Sequence, residues 1–162
     1  MYHQYAPFFS ELWHKIRNGE SLTYSWNIGM GTNFTSLFAY YLASPSNWFV
    51  ALFPQKYTIE IMNAFIILKI AGSSLSLTYY LTKHNNNKHV IAAIFGIFYG
   101  MSGFIAAYSW NIMWLDCVIL IPLIMLGLER LVNENRCIFY CITLGLCIFT
   151  CLLYTSPSPR DS

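Results

Sequence analysis

The chain has 162 residues, of which 56% are hydrophobic and only 10% are charged. Soluble domains carry about 25% charged residues, so a wholly water-facing surface is excluded and lipid must cover part of this chain. The net charge is +2 and the sequence contains no long basic run, which together exclude a nucleic-acid-binding protein.

The N-terminal segment, residues 1–57, has no stretch long enough to cross a membrane, but it begins with an amphipathic pattern. Apolar residues recur with helical spacing from Tyr5 to Arg17, and Glu11, His14 and Lys15 occupy the opposite face. This pattern predicts an interfacial helix that lies on the membrane surface.

A loop and two short helices are predicted next. The loop, YSWNIGMGTNF (residues 24–34), contains Gly29 and Gly31, which let a backbone approach another group closely. The glycine spacing matches neither the Walker pattern nor the dinucleotide-binding pattern. We expect short helices over residues 35–42 and from Ser44-Pro45 onward, which are too short to span and therefore interfacial or re-entrant.

Spanning helices are predicted over residues 58–81, 90–108 and 111–131, because about 20 apolar residues cross a bilayer. A fourth apolar stretch covers residues 137–150. The connections are short, so sequential helices run antiparallel. Ala92, Gly96 and Gly100 recur every fourth residue and predict a small-residue packing face on the second spanning helix.

The orientation follows from the basic residues near the ends of the spanning helices. Lys83 and Lys88 lie in one connection and Arg130 and Arg136 flank another, so the positive-inside rule places both in the cytoplasm. Residues 1–57 are then extracytoplasmic. Because no spanning helix or signal peptide precedes them, we expect the natural protein to have a further helix upstream of Met1.

The C-terminal residues differ in character from the rest of the chain. Residues 151–161 read CLLYTSPSPRD, which is similar to the translated read-through of a sequencing adapter. We therefore expect residues 151–162 to be foreign to the natural protein and the chain to be a fragment.

Two charged residues lie inside the predicted spans, where a charge is costly. From the helical rise, Lys69 lies roughly 17 Å and Asp116 roughly 8 Å below the outer surface, and a lysine stem can reach across that difference. We predict that they form an ion pair. A structural role, the binding of an anionic group and a transport relay all remain open for it.

The densest polar and aromatic cluster is YSWNIMWLD, residues 108–116. An interfacial aromatic belt accounts for Trp110 and Trp114, but it accounts less well for Asn111 and Asp116. No metal-ligand spacing such as HExxH and no recognisable Ser/His/Asp arrangement is present, so no metal ligands are assigned.

These landmarks together resemble the YfhO family of bacterial membrane proteins. The resemblance rests on HQYAPFF (3–9), YSWNIGMGTNF (24–34), YYLASPSNWF (40–49), Leu68-Lys69, and YSWNIMWLD with LIPLIMLGLE (108–129), in that order. It implies an all-α, polytopic membrane helical bundle like that of the GT-C glycosyltransferases, with an N-terminal extracytoplasmic segment of interfacial helices.

The resemblance also implies an activity and its partners. GT-C enzymes take a sugar from a polyprenyl-phosphate donor, and this family is associated with glycosylating cell-wall polymers such as lipoteichoic acid on the outer face of the bacterial plasma membrane. A divalent metal is compatible with the parent enzyme, and no other cofactor is implied. The catalytic carboxylate is expected just before the HQY motif, upstream of Met1. No catalytic residue is therefore assigned, and we expect the fragment alone to be inactive.

The substrate-binding residues implied by the resemblance are those expected to surround the catalytic carboxylate. Lys69 and the backbone of the glycine loop are added as donors for phosphate, and the tryptophans as surfaces for the sugar. The full set is His3, Gln4, Tyr5, Trp26, Asn27, Gly29, Gly31, Asn33, Lys69, Trp110, Asn111, Trp114 and Asp116. Two alternatives remain, namely a transporter or flippase for a lipid-linked or small solute, and a non-catalytic membrane scaffold.

Overall fold

The computed structural model describes residues 5–42, 44–85 and 89–150, apart from the side chains of Tyr40 and Ala51. His3, Gln4 and the predicted adapter segment 151–162 lie outside the described residues. The chain divides into two compact units, with a boundary between Ala64 and Phe65. We call the described residues up to Ala64 the N-terminal unit and residues 65–148 the membrane unit.

The N-terminal unit is built from short elements. Helix α1 is followed by a small antiparallel hairpin, in which Tyr24 pairs with Asn33 and Ser25 with Thr32. The elements are α1 (Tyr5–Asn18), β1 (Tyr24–Ser25), β2 (Thr32–Asn33), α2 (Phe34–Leu37), a π-helical turn (Phe38–Leu42) and 3₁₀ segments Pro45–Leu52 and Gln55–Tyr57. Helical turns are thus present where the two short helices are predicted.

Local side chains explain where these short helices begin. Asn33 Oδ1 accepts hydrogen bonds from the backbone N–H groups of Thr35 and Ser36, at 3.0 and 3.4 Å, and so caps α2. Pro45 stands at the first position of its 3₁₀ segment, where its fixed φ is favourable and no N–H is required.

Helix α1 has the predicted amphipathic apolar face, since Tyr5, Phe9 and Leu12 are completely or almost completely buried. Its other face differs from the prediction, because Glu11 is only 7% exposed and Lys15 only 3%. The reason is tertiary. The β1–β2 hairpin supplies hydrogen-bond partners for both side chains, and a charge that is paired in this way can be buried.

The membrane unit consists of long apolar helices. They are α3 (Thr58–His84, whose first residues belong to the N-terminal unit), α4 (His89–Gly100), the short α5 (Gly103–Tyr108), α6 (Ile112–Glu134) and α7 (Ile138–Thr150, whose last two residues lie outside this unit). In the described part of the chain, Gln55–His84, His89–Tyr108 and Ile112–Glu134 are long and apolar enough to cross a membrane, whereas Ile138–Thr150 is shorter. The prediction of an all-α membrane helical bundle is confirmed.

The second predicted span is interrupted, whereas the sequence predicts one continuous helix. Ser102 has extended backbone angles (φ −62°, ψ 151°) and stands at the N-cap of α5. Gly100 and Gly103 flank the break, and glycine costs about 1 kcal/mol relative to alanine inside a helix, so the helix is weakest at this point. Pro122, in contrast, lies within α6 without interrupting it.

Helix packing in the membrane unit follows the small residues. Ala92, Gly96 and Gly100 are all buried, which confirms the predicted packing face of α4. A Cβ added at Gly96 would lie 2.6 Å from the backbone oxygen of Ser74, and one at Gly100 would overlap the Ser74 side chain. Only glycine therefore lets α4 approach α3 this closely.

The distribution of polar and apolar side chains is the reverse of that in a soluble protein. Ile67, Leu75 and Phe98 are exposed, whereas the serines Ser73 and Ser76 are buried and donate hydrogen bonds to carbonyls of their own helix. Lipid is the environment in which an apolar exterior and internally satisfied polar groups are stable. The membrane unit therefore contacts the bilayer.

Candidate functional site

The central polar feature of the membrane unit is the ion pair between Lys69 of α3 and Asp116 of α6. Lys69 Nζ lies 2.8 Å from Asp116 Oδ2, and it also donates to the backbone carbonyl of Ile112 at 3.2 Å. The two side chains are 6% and 13% exposed. The predicted pair is confirmed, and the carbonyl gives the ammonium a second acceptor inside the bundle.

The relative direction of α3 and α6 makes this pair possible. Lys69 meets Asp116, and one turn further along both helices Gly72 approaches Ile119. The two helices therefore run parallel. A lysine side chain can reach a carboxylate on a parallel neighbour at a similar depth without leaving the bundle interior.

Aromatic side chains surround the beginning of α6. Phe104, Tyr108 and Trp114 are in mutual contact, with ring centroids 5.2 to 6.4 Å apart. We call these three residues the aromatic cluster. Trp110 is half-exposed and donates from Nε1 to the carbonyl of Ala107 at 3.1 Å, and Asn111 is buried directly before α6. Trp114 is two residues from Asp116, so the ion pair and the cluster share the first turns of one helix.

The predicted glycine loop of the N-terminal unit is fixed to α1 by two buried charges that the sequence did not mark as site residues. Glu11 accepts hydrogen bonds from Ser25 Oγ at 2.6 Å and from Asn27 Nδ2 at 3.1 Å. Lys15 Nζ donates to the carbonyls of Ser21 and Tyr24, at 3.0 and 2.8 Å. Helical periodicity placed Glu11 and Lys15 on a polar face and gave no signal of these partners, which lie in a different element.

The tip of this loop presents side chains outward. Gly29, Met30 and Gly31 all have positive φ angles, of 58°, 65° and 105°, and the Gly31 N–H donates to the carbonyl of Ile28. Such angles favour glycine, which explains its presence at two of the three positions. Trp26 is 77% exposed and Met30 is 99% exposed, so the tip offers an apolar surface to a ligand or to lipid.

The predicted site residues thus fall into both units. Tyr5, Trp26, Asn27, Gly29, Gly31 and Asn33 belong to the N-terminal unit, and Lys69, Trp110, Asn111, Trp114 and Asp116 belong to the membrane unit. Tyr5 packs edge-on against Tyr41, and Asn33 is used as a helix cap. Both of these residues thus have clear structural roles.

No group of three or more His, Cys, Asp or Glu side chains within residues 5–42, 44–85 and 89–150 is arranged to hold a metal ion. The divalent metal that is compatible with the parent enzyme therefore has no set of three such ligands among these residues.

The fold and the buried pair define the class of the protein as a polytopic helical membrane protein. Its sequence matches the profile of a family described as bacterial membrane protein YfhO, over residues 1–151. The chain belongs to the YfhO family, as the sequence motifs predict. No curated protein and no solved structure matches it.

Proposed function

We propose that this chain is part of a membrane glycosyltransferase of the GT-C type. In this proposal the enzyme takes a sugar from a polyprenyl-phosphate donor and transfers it to a cell-envelope polymer on the outer face of the bacterial plasma membrane. Membership of the YfhO family supports the proposal. The observation that carries it is the aromatic cluster, which stands beside a buried ion pair at the beginning of α6.

The aromatic cluster suits a ligand that is part sugar and part lipid. Binding sites for such ligands combine apolar and aromatic walls with a few polar groups that fix the orientation. Phe104 and Tyr108 are exposed on a helix of apolar composition, where a prenyl chain can lie against them. Trp114 is partly buried and provides a flat ring face for the sugar.

The Lys69–Asp116 pair has an orienting role in this proposal. The ammonium of Lys69 is already engaged by a carboxylate and by the carbonyl of Ile112, so it is poorly placed to act as the main phosphate ligand. The pair instead fixes the first turns of α6 and thereby the position of Trp114. The catalytic carboxylate is expected ahead of His3, and no described residue is assigned that role.

Donor binding by the chain itself tests the proposal. A polyprenyl-phosphate hexose is titrated into the chain in detergent micelles, and intrinsic tryptophan fluorescence is recorded, with polyprenyl phosphate and free hexose as separate arms. We expect saturable binding of the complete donor. Trp114→Ala should weaken it up to tenfold, the effect of losing one aromatic stacking interaction.

The matched control is Trp48→Ala, because Trp48 is a half-exposed tryptophan of the N-terminal unit and lies outside the predicted site. Its substitution should leave donor affinity unchanged. Equal losses in both variants, or no binding of the donor by the wild-type chain, would contradict the proposal.

A transporter of lipid-linked or small solutes is the second candidate, favoured by a buried ion pair inside the spanning helices. In proteoliposomes, a transporter would move the labelled donor across the bilayer, and Lys69→Met would abolish that movement while leaving binding intact. A glycosyltransferase would bind the donor without moving it, and a scaffold would do neither.

A further inference from the structure

The C-terminal ends of α3 and α6 enclose a recess of about 460 Å³. We call it the terminal recess. It is lined chiefly by Lys83, His84, Glu129, Arg130, Asn133 and Glu134. Because α3 and α6 run parallel, the basic residues near both helix ends converge at one place. This volume falls within the range of about 300–1,000 Å³ that small-ligand pockets occupy.

Both carboxylates of the terminal recess already have partners. Glu129 Oε1 accepts a hydrogen bond from the Tyr80 hydroxyl at 2.8 Å and lies 2.9 Å from Nδ1 of His84. Glu134 Oε2 lies 3.7 Å from Nη1 of Arg136. The first two contacts orient the Glu129 carboxylate, and Arg136 offsets the charge of Glu134.

The two remaining cations, Lys83 and Arg130, each lie over an aromatic ring. Lys83 Nζ lies over the ring of Tyr79 at 5.9 Å, and the Arg130 guanidinium lies over the ring of Phe139 at 5.3 Å. Across residues 5–42, 44–85 and 89–150, neither Lys83 nor Arg130 forms an ion pair with a carboxylate. Arg136, the partner of Glu134, adds a third basic side chain beside the recess, so the three basic and two acidic side chains give a formal charge of +1 with His84 neutral. The Arg130 guanidinium can hold a phosphate in a bidentate manner.

The surroundings of the terminal recess favour a lipid as the source of that phosphate. Val132, adjacent to the lining residue Asn133, is 72% exposed, and Leu128 is exposed one turn earlier on α6. An acyl chain can lie against this apolar surface while its headgroup enters the recess. Basic pockets at the ends of membrane helices bind lipid headgroups in this way.

We propose that the terminal recess binds the phosphodiester headgroup of an anionic phospholipid, through Lys83 and Arg130. This is a second lipid site, at the opposite end of α6 from the aromatic cluster. It is independent of the proposed sugar transfer, because its ligand needs neither a sugar nor a prenyl chain.

The test is isothermal titration of the full chain in maltoside micelles with dioctanoyl phosphatidylglycerol. We expect saturable binding that Lys83→Gln/Arg130→Gln weakens about 30-fold, because each basic residue near a membrane surface contributes about fivefold to anionic-lipid affinity. The charge-retaining exchange Lys83→Arg/Arg130→Lys should weaken binding less than the double glutamine variant does, because it keeps both positive charges but moves the guanidinium from its bidentate position. Glu134→Gln should tighten binding, because it removes a negative charge and releases Arg136.

Lys56→Gln is the matched control. Lys56 is an exposed lysine over an aromatic ring, Tyr57, but it lies in the N-terminal unit. Unchanged phosphatidylglycerol affinity in Lys83→Gln/Arg130→Gln would overturn the proposal, and so would an equal affinity for dioctanoyl phosphatidylcholine. If inorganic phosphate bound as tightly as phosphatidylglycerol, the site would be one for free phosphate and the assignment to a lipid would be wrong. If the double variant does not fold, the Glu134→Gln variant provides the test. An unchanged or weaker affinity of that variant for phosphatidylglycerol overturns the proposal.

Discussion

Removing either member of the Lys69–Asp116 pair leaves a charge inside the bundle without its partner. The geometry of the pair determines how much this lowers the free energy of unfolding. Breaking a buried ion pair typically costs about 3–5 kcal/mol, most of which is the penalty of the remaining uncompensated charge. Two features place this pair at the lower end. Asp116 retains 13% exposure, and Lys69 keeps the Ile112 carbonyl as an acceptor. We therefore expect Lys69→Met and Asp116→Leu each to lower the free energy of unfolding by about 3 kcal/mol.

The double variant Lys69→Met/Asp116→Leu separates the net contribution of the ion pair to stability from the penalty of leaving one charge unpaired. It removes both charges and replaces them with apolar groups, so its stability should lie within about 1 kcal/mol of wild type. Each single variant should lower the melting temperature by about 6–12 °C in detergent, measured by circular dichroism, because 1 kcal/mol corresponds to about 2–4 °C at this chain length.

Glu60→Gln is the control for this cycle, since Glu60 is an exposed carboxylate in the first turn of the same helix, and it should change stability by no more than about 0.5 kcal/mol. Independent sites add to within about 0.5 kcal/mol. If the losses of the two single variants simply add in the double variant, then Lys69 and Asp116 are not energetically coupled and the interpretation of the site is refuted.

Three further substitutions, each with a control variant, test other parts of the structure. Gly96→Ala should destabilise the chain by about 1–3 kcal/mol, because the added methyl group meets the Ser74 backbone. Gly145→Ala, where a Cβ meets nothing within 4 Å, should instead raise the melting temperature through its higher helix propensity. Glu11→Ala should accelerate amide hydrogen exchange over residues 24–34 at least tenfold, since a buried acceptor of two loop side chains is lost. Glu20→Gln should leave exchange almost unaltered, because it removes the 3.8 Å contact of an exposed carboxylate with Lys15, which keeps its two carbonyl acceptors. Asn33→Ala should cost about 1 kcal/mol in thermal unfolding and Asn33→Asp almost nothing, because only the first removes the cap of α2.

Sequence alone was sufficient for the helical membrane class and for part of the candidate site. A bilayer requires every backbone polar group to be satisfied within a helix, so length and apolar composition are strong predictors there. Gly96 could be placed on a packing face because the spacing of Ala92, Gly96 and Gly100 can be recognised within one helix. Gly96 is indeed buried. The Lys69–Asp116 pair could be predicted because both charges lie inside predicted spans, where a charge is costly, and because a lysine stem can cover the difference between their depths.

Tertiary structure decided the features that depend on distant partners. Glu11 and Lys15 are buried because a later hairpin supplies their partners: side chains 14 and 16 residues after Glu11 donate to it, and carbonyls six and nine residues after Lys15 accept from it. The sequence already places Lys83 and Arg130 on the same side of the membrane, but only the packing of α3 against α6 forms the recess that both of them line. Helical periodicity reports only which side of an element a residue occupies. What covers that side is set by contacts between elements, and a single sequence carries no direct record of them.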